Sequence, residues 1–173
     1  TPGDIADVLV AMNAAALKVN LKSLKPGGKI IANIDGFDTK NLRLANYADG
    51  INPLEDGSLD SYELTKIDVT KLTRESLKDF TDLGTKERDR AKNMFVLGYI
   101  YWMYNRTLDN TINFLKEKFG KKETILQSNI KVLQAGYNYG DTTETFTTRY
   151  KVEKAKMPAG TYRSIMGNQA LTY

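Results

Sequence analysis

The sequence predicts an α/β fold: a three-layer sandwich around a mostly parallel sheet, with a helical C-terminal half. Three observations predict it. Residues 7–35 read as strand, helix, turn, strand. Residues 62–69 alternate apolar and polar. From residue 73 onward the apolar residues recur at helical spacing instead of strand spacing.

The first segment, DVLVAMNAAALKVNLKSLKPGGKIIANID, is the most informative. Val8 to Met12 is an apolar run of strand length. Asn13 stands where a helix N-cap belongs, because its amide oxygen can accept from the free N–H groups of a first helical turn. Ala14, Leu17, Leu21 and Leu24 make one apolar face, and Pro26-Gly27-Gly28 is expected to stop that helix. Ile30 to Ile34 returns as a second strand. Two strands joined by a crossover helix are parallel, with a right-handed connection.

Residues 36–57 are rich in Asn, Asp and Gly and read as an irregular connection, with a turn of helix near Lys40 to Tyr47. Tyr62 to Val69 is the third strand, and its alternation places it at an edge or gives it one less buried face. Thr73 and Thr85 are expected helix caps. The helix after Thr85 runs to Tyr104, and its later half is apolar almost all round, as in a helix buried on several sides. Leu108, Ile112, Leu115 and Phe119 define a further helix ended by Gly120, and Leu126, Ile130, Leu133 and Tyr137 define the last long one. Gly136 or Gly140 is the expected C-cap, with Tyr137 and Tyr139 either half-exposed at a helix end or projected onto a partner. The stripe of Tyr99, Tyr101, Trp102 and Tyr104 reads as core packing, with a subunit interface as the alternative. Residues 157–162 read as a linker, and Gly167 to Ala170 as the start of a new helix.

The 173 residues contain no cysteine and no histidine. Disulfides are therefore excluded, as are zinc and iron–sulfur sites of the usual ligand types within this chain. The side chain most used as a general base near neutral pH is missing too. No P-loop, GxGxxG, GxSxG or HExxH occurs. The net charge is +4, with basic and acidic residues interleaved. Lys18, Lys22, Lys25 and Lys29 form the early cluster, read mostly as the solvated face of the first helix, with a phosphate-rich partner as the alternative. The longest apolar run, Met94 to Tyr104, is too short to span a bilayer. The expected location is cytoplasmic.

The segment DVLVAMNAAALKVNLKSLKPGG resembles the gamma domain of 2-oxoacid:ferredoxin oxidoreductases, in the form fused to the alpha subunit of the 2-oxoglutarate-type enzymes. NPLEDGSLDSY, LTRESL, DRAKNMFVLGYIYWMY, EKFGKKE, LQAGYNYGDTTETF and PAGTYRSIMGNQAL continue the resemblance in the same order. Ala14 departs from it, standing where the family is expected to have proline; both residues suit the first turn of a helix. The resemblance implies a gamma domain over residues 1–156, lacking its glycine-rich first strand-to-helix turn. It implies a linker and the start of a pyrimidine-binding domain over residues 157–173.

It further implies an enzyme component that is inactive alone. The whole enzyme would decarboxylate a 2-oxoacid oxidatively, pass electrons to ferredoxin and deliver the acyl group to coenzyme A. Thiamine diphosphate and iron–sulfur clusters would be held elsewhere in the complex, with no cofactor, catalytic residue or metal assigned to this chain. Implied partners are the beta subunit and the remaining domains of the alpha subunit, with ferredoxin reached through the complex; no nucleic acid and no membrane is implied. Asn13, Lys18 and Lys22 are the candidate contacts to coenzyme A, each with a plain structural role as its alternative: cap for Asn13, helix surface for the lysines. The competing function is a non-catalytic docking module that uses the apolar helix and the GYNYG segment as its surface.

Overall fold

The computed structural model describes residues 5–143, 150–153, 156–163 and 165–171. A sheet of three parallel strands has the order β1-β2-β3, with β1 at Ala6–Ala11, β2 at Leu24–Asn33 and β3 at Glu63–Ile67. From residue 28 onward β2 is buried on both faces, as the central strand of a parallel sheet must be. The strands β1 and β3 are its neighbours on either side.

Alternate side chains enter opposite layers. Ile30 and Ala32 of β2, with Leu9 and Ala11 of β1, face a core built with helix α1 (Ala14–Asn20) and the connection after β2. Ile31, Val8 and Val10 face the second core, made by helix α3 (Val69–Ser76), helix α5 (Lys92–Met103) and helix α7 (Glu123–Thr143). Helix–sheet–helix layering is the predicted sandwich. Helix α2 (Thr39–Leu44) lies in the connection, capped by the Asp38 carboxylate, which accepts from Asn41 N at 2.7 Å. Helix α4 (Thr85–Arg90) leads directly into α5, and helix α6 (Asp109–Phe119) packs with α7 over a third small core centred on Leu115, Leu126 and Leu133. Gly167–Ala170 forms the short helix α8. Among the described residues no helix is long and apolar enough to cross a membrane.

Several elements differ from expectation, each for a local reason. Helix α1 stops at Asn20, whose side-chain amide donates to Ala16 O at 2.8 Å. Leu21–Ser23 then tighten into a 3-10 turn, so Leu21 and Leu24 reach the core without lying on the α-helix. Pro26-Gly27-Gly28 is a bulge within the span of β2: Ala6 faces Leu24, but Val8 already faces Lys29. Gly27 has φ +70°, the left-handed region that favours glycine. Lys25 and Lys29 accordingly lie on β2, where Lys25 pairs with Asp7 and the buried Lys29 pairs with Glu63, its register partner across the sheet. Thr73 is fully buried inside α3; the cap is Asp68, whose carboxylate accepts from Lys71 N at 3.0 Å. Thr85 is the first residue of α4, and Glu87 reaches back to the Gly84 N–H at 3.0 Å.

The largest difference lies in α7, which runs unbroken through the GYNYG segment. Gly136 and Gly140 are buried where α7 crosses α5. A Cβ on Gly136 would stand 1.8 Å from Phe95 O, one on Gly98 would stand 1.9 Å from Leu133 O, and one on Gly140 would stand 2.5 Å from the Trp102 ring. These glycines let the two helices touch backbone to backbone. Tyr139 turns inward, its ring 5.6 Å from Phe95 and 6.0 Å from Tyr99. Tyr99 and Trp102 are buried and stacked at 5.6 Å, and Tyr104 stacks on Tyr150 at 4.9 Å. Of the aromatic stripe, Tyr99 and Trp102 are core, Tyr104 is half-buried against it, and Tyr101 is half-buried with its hydroxyl 2.8 Å from Thr111 Oγ1.

Gly136→Ala is expected to destabilise the protein by about 3 kcal/mol, because the added methyl overlaps a backbone carbonyl that cannot turn away. Gly167→Ala, where a Cβ meets nothing within 4 Å, is expected to change stability by less than about 0.5 kcal/mol. Urea unfolding of the two variants measures the contrast.

Candidate functional site

Ligands of open parallel sheets bind beyond the carboxyl ends of the strands, where polar groups gather and helices begin. Here that edge is closed by Asn33, the last residue of β2, which is 1% exposed. Its Nδ2 donates to Met12 O at 3.4 Å, and its Oδ1 accepts from Val69 N at 3.1 Å. One side chain thus ties the exit of β1 to the first residue of α3, with β2 between them. Gly36 completes the closure: a Cβ there would stand 2.2 Å from Met12 O and 2.7 Å from Asn13 Cα.

Around this latch the edge is charged. Asp35 Oδ2 accepts from the buried Thr70 Oγ1 at 2.8 Å. Arg74 donates from Nε and Nη2 to the two carboxylate oxygens of Asp89, each at 2.7 Å. The hydrogen bond from Arg74 holds the Asp89 carboxyl below the usual carboxylate range, and Lys92 adds to the effect. Arg74 is in turn held in its charged form, first by Asp89 and more weakly by Asp35 and Asp68. A cavity of about 440 Å³ opens beside Asp35, Asp38, Asn52 and Lys66, and one of about 380 Å³ adjoins it at Phe37, Asp38 and Asn52. Lys66 Nζ donates to Leu54 O at 3.2 Å across the first. Asn52 and Lys66 were not legible as site residues, because the loop that brings them together has no periodic pattern.

The three residues expected to contact coenzyme A take different places. Asn13 caps α1 as predicted: its Oδ1 accepts from Ala16 N at 2.8 Å, and its Nδ2 makes no hydrogen bond among the described residues. Lys18 is held against the end of α2, donating to Ala45 O at 3.0 Å and Asn46 O at 2.6 Å, with its ammonium 4.6 Å from the Tyr47 ring centre. Asn46 has φ 56°, a left-handed turn whose carbonyl this ammonium satisfies. Lys22 is exposed in the turn before β2. In a strand–helix–strand unit the helix runs back across the sheet, so Asn13 stands at the carboxyl edge and Lys22 toward the opposite end, roughly 13 Å along the helix direction.

The family model for pyruvate ferredoxin/flavodoxin oxidoreductase matches residues 1–139. The chain belongs to that family. It is 46% identical over 175 residues to the 2-oxoglutarate oxidoreductase subunit KorA of Mycobacterium tuberculosis (strain ATCC 25618 / H37Rv), a match covering 100% of this chain and 26% of the relative. This family member thus spans about a quarter of the length of that relative. Its fold also matches a solved 2-oxoglutarate:ferredoxin oxidoreductase from Magnetococcus marinus, determined with 2-oxoglutarate, coenzyme A and succinyl-CoA bound. That match has a TM-score of 0.57 at 23% identity and covers 87% of this chain and 22% of the other.

Two outcomes are expected at this edge. Asn33→Ala leaves the buried Val69 N–H without its acceptor and should cost about 1–3 kcal/mol, measured by denaturant unfolding. Asp89 has a lowered carboxyl in the folded state, so its pair with Arg74 stabilises above the ordinary carboxylate range, near pH 4, and that stability is lost as pH falls through the lower folded value. Asp89→Asn should remove that part of the acid dependence. The loss at neutral pH should stay under about 1 kcal/mol, because the pair is partly exposed.

Proposed function

We propose that this chain is the gamma-domain portion of a 2-oxoglutarate-type 2-oxoacid:ferredoxin oxidoreductase, with residues 1–156 forming the domain and residues 157–173 leading toward a pyrimidine-binding domain. The complex would convert 2-oxoglutarate and coenzyme A to succinyl-CoA and carbon dioxide, with two electrons passing to ferredoxin. The observation that carries this reading is the 46% identity to the KorA subunit along the entire chain. The chain's own composition agrees with a supporting role: with no cysteine and no histidine, it has no side chain suited to hold an iron–sulfur cluster. Thiamine diphosphate, when bound elsewhere in the complex, would supply the carbanion chemistry of decarboxylation. The beta subunit and the remaining alpha-subunit domains are the proposed partners.

Within that assembly the domain's part is to position. Asn33 and Gly36 fix the strand exits from which α1 and α3 depart. The proposed contacts to coenzyme A lie along α1. Asn13 has a free Nδ2 donor suited to a phosphate or amide oxygen, and Lys22 offers an exposed ammonium. Lys18 offers positive field from a fixed position, since its ammonium already holds two carbonyls. The inward packing of Tyr139 removes much of the apolar surface that a docking-module reading requires.

Calorimetric titration of coenzyme A into the assembled enzyme tests the contact. The Asn13→Ala/Lys22→Ala double variant should weaken binding about tenfold, with Lys18→Ala weakening it less and lowering thermal stability as well. Unchanged affinity in both variants would remove the contact. Ferredoxin reduction that requires pyruvate and ignores 2-oxoglutarate would overturn the substrate assignment.

A further inference from the structure

The surface where α4 passes into α5 gathers cations. Three of the charged residues in Thr85–Arg90 are committed. Glu87 accepts from Gly84 N, Arg88 Nη2 donates to Phe80 O at 2.9 Å, and Asp89 accepts from Nε and Nη2 of Arg74. The side chains of Lys86, Arg90 and Lys92, the first residue of α5, make no hydrogen bond or ion pair among the described residues, and Lys92 adds only its field to the Asp89 carboxylate. They share one open depression of about 440 Å³ with Asp89 and Asn93. Its one acid is held by Arg74, so Lys86 and Arg90, both exposed, and the half-buried Lys92 give the depression a net positive charge.

Arg90 also lines a second cleft of about 270 Å³, where α4 and the Ala91 link to α5 face Phe119 and the first turns of α7. Leu83, Ala91, Phe119 and Ile125 make its walls apolar, and Leu83 and Ala91 are nearly buried. Glu87 reaches it from α4 with its carboxylate turned onto the Gly84 N–H. Ser128 and Asn129, at its other side, both donate back to Ile125 O, at 2.9 and 2.7 Å. The cleft therefore suits an apolar group, and the depression beside it suits an anion. Arg90 stands at the junction of the two.

We propose that this surface binds a small phosphate monoester with an apolar tail, the phosphate held by Lys86, Arg90 and Lys92 and the tail lying in the cleft between α4–α5 and α6–α7. A guanidinium matches two oxygens of a phosphate at once, and two ammonium groups beside it suit a dianion. Exposed charges alone bind weakly because water and salt screen them. Each methylene buried in the cleft multiplies the affinity by about three to four. Both parts together make the site selective for a molecule that carries both. It lies on different elements from the proposed coenzyme A contact along α1 and does not depend on it.

Calorimetric titration of the intact protein with octyl phosphate, inorganic phosphate and octanol, each below its aggregation concentration, tests the proposal. Octyl phosphate should bind at least tenfold more tightly than either of the other two, and more weakly as salt is raised. The Lys86→Ala/Arg90→Ala double variant should lose at least tenfold of that affinity at an unchanged thermal midpoint. Lys40→Ala, which removes an exposed cation elsewhere, should lose none. Equal binding of octanol, unchanged affinity in the double variant, or no binding of octyl phosphate at millimolar concentration would each overturn it.

Discussion

Helices α5 and α7 meet through their backbones. Gly98 of α5 lies under the carbonyl of Leu133, and Gly136 of α7 lies under the carbonyl of Phe95, so each helix supplies a notch for the other. The contact is reciprocal and leaves no room for a methyl group on either side. Close approach brings more side-chain atoms into van der Waals range along both helices. Gly140 extends the seam by giving the Trp102 ring a flat floor. The rest of the second core is arranged around it: Tyr99 and Trp102 stack beside the seam, Tyr139 closes its far end, and Val132 joins Ile31 and Ile67 of the sheet in the same cluster. Displacing α7 would uncover that face of the sheet.

The other organising element is polar and small. A buried amide is costly unless its donor and acceptor are both used. Asn33 uses both, one toward the exit of β1 and one toward the start of α3. The latch holds β1, β2 and α3 together at one edge of the sheet, which is where parallel sheets gather function. Asp35, Thr70, Arg74 and Asp89 surround it with oriented charge, and Asn13 stands beside it as the cap of α1. The charges around the latch are paired, whereas the side chains of Lys86 and Arg90 on α4 make no ion pair among the described residues.

Periodicity made most elements legible before any coordinates. The apolar runs of β1 and β2, the cap at Asn13, the buried helix ending near Tyr104 and the helix closed by Gly120 all stand where local pattern places them. Boundaries were less legible. Thr73 and Thr85 have the chemistry of caps, but Asp68 and Gly84 lie at the positions where the chain actually turns into helix. Pro26-Gly27-Gly28 has the chemistry of a turn and forms a bulge, because β2 resumes its pairing with β1 beyond it. In the candidate site, Asn13 and the strand ends were visible from pattern. The partners of Lys18 were not, since Ala45 and Asn46 lie 27 and 28 residues away in an aperiodic loop.

The amino-acid sequence by itself determined the class of fold, the order of its strands and helices, the absence of cysteine and histidine chemistry, and the family. These depend on residue type and on spacing within a few turns, which a linear pattern carries. The tertiary structure alone decided what the glycines of GYNYG are for. A glycine at a helix end and a glycine at a helix crossing are the same residue, and they differ only in what lies 2 Å from the missing Cβ. The tertiary structure likewise decided which lysines remain uncommitted. An ammonium is satisfied by carbonyls or carboxylates brought from elsewhere in the chain, and that pairing is a property of the folded packing.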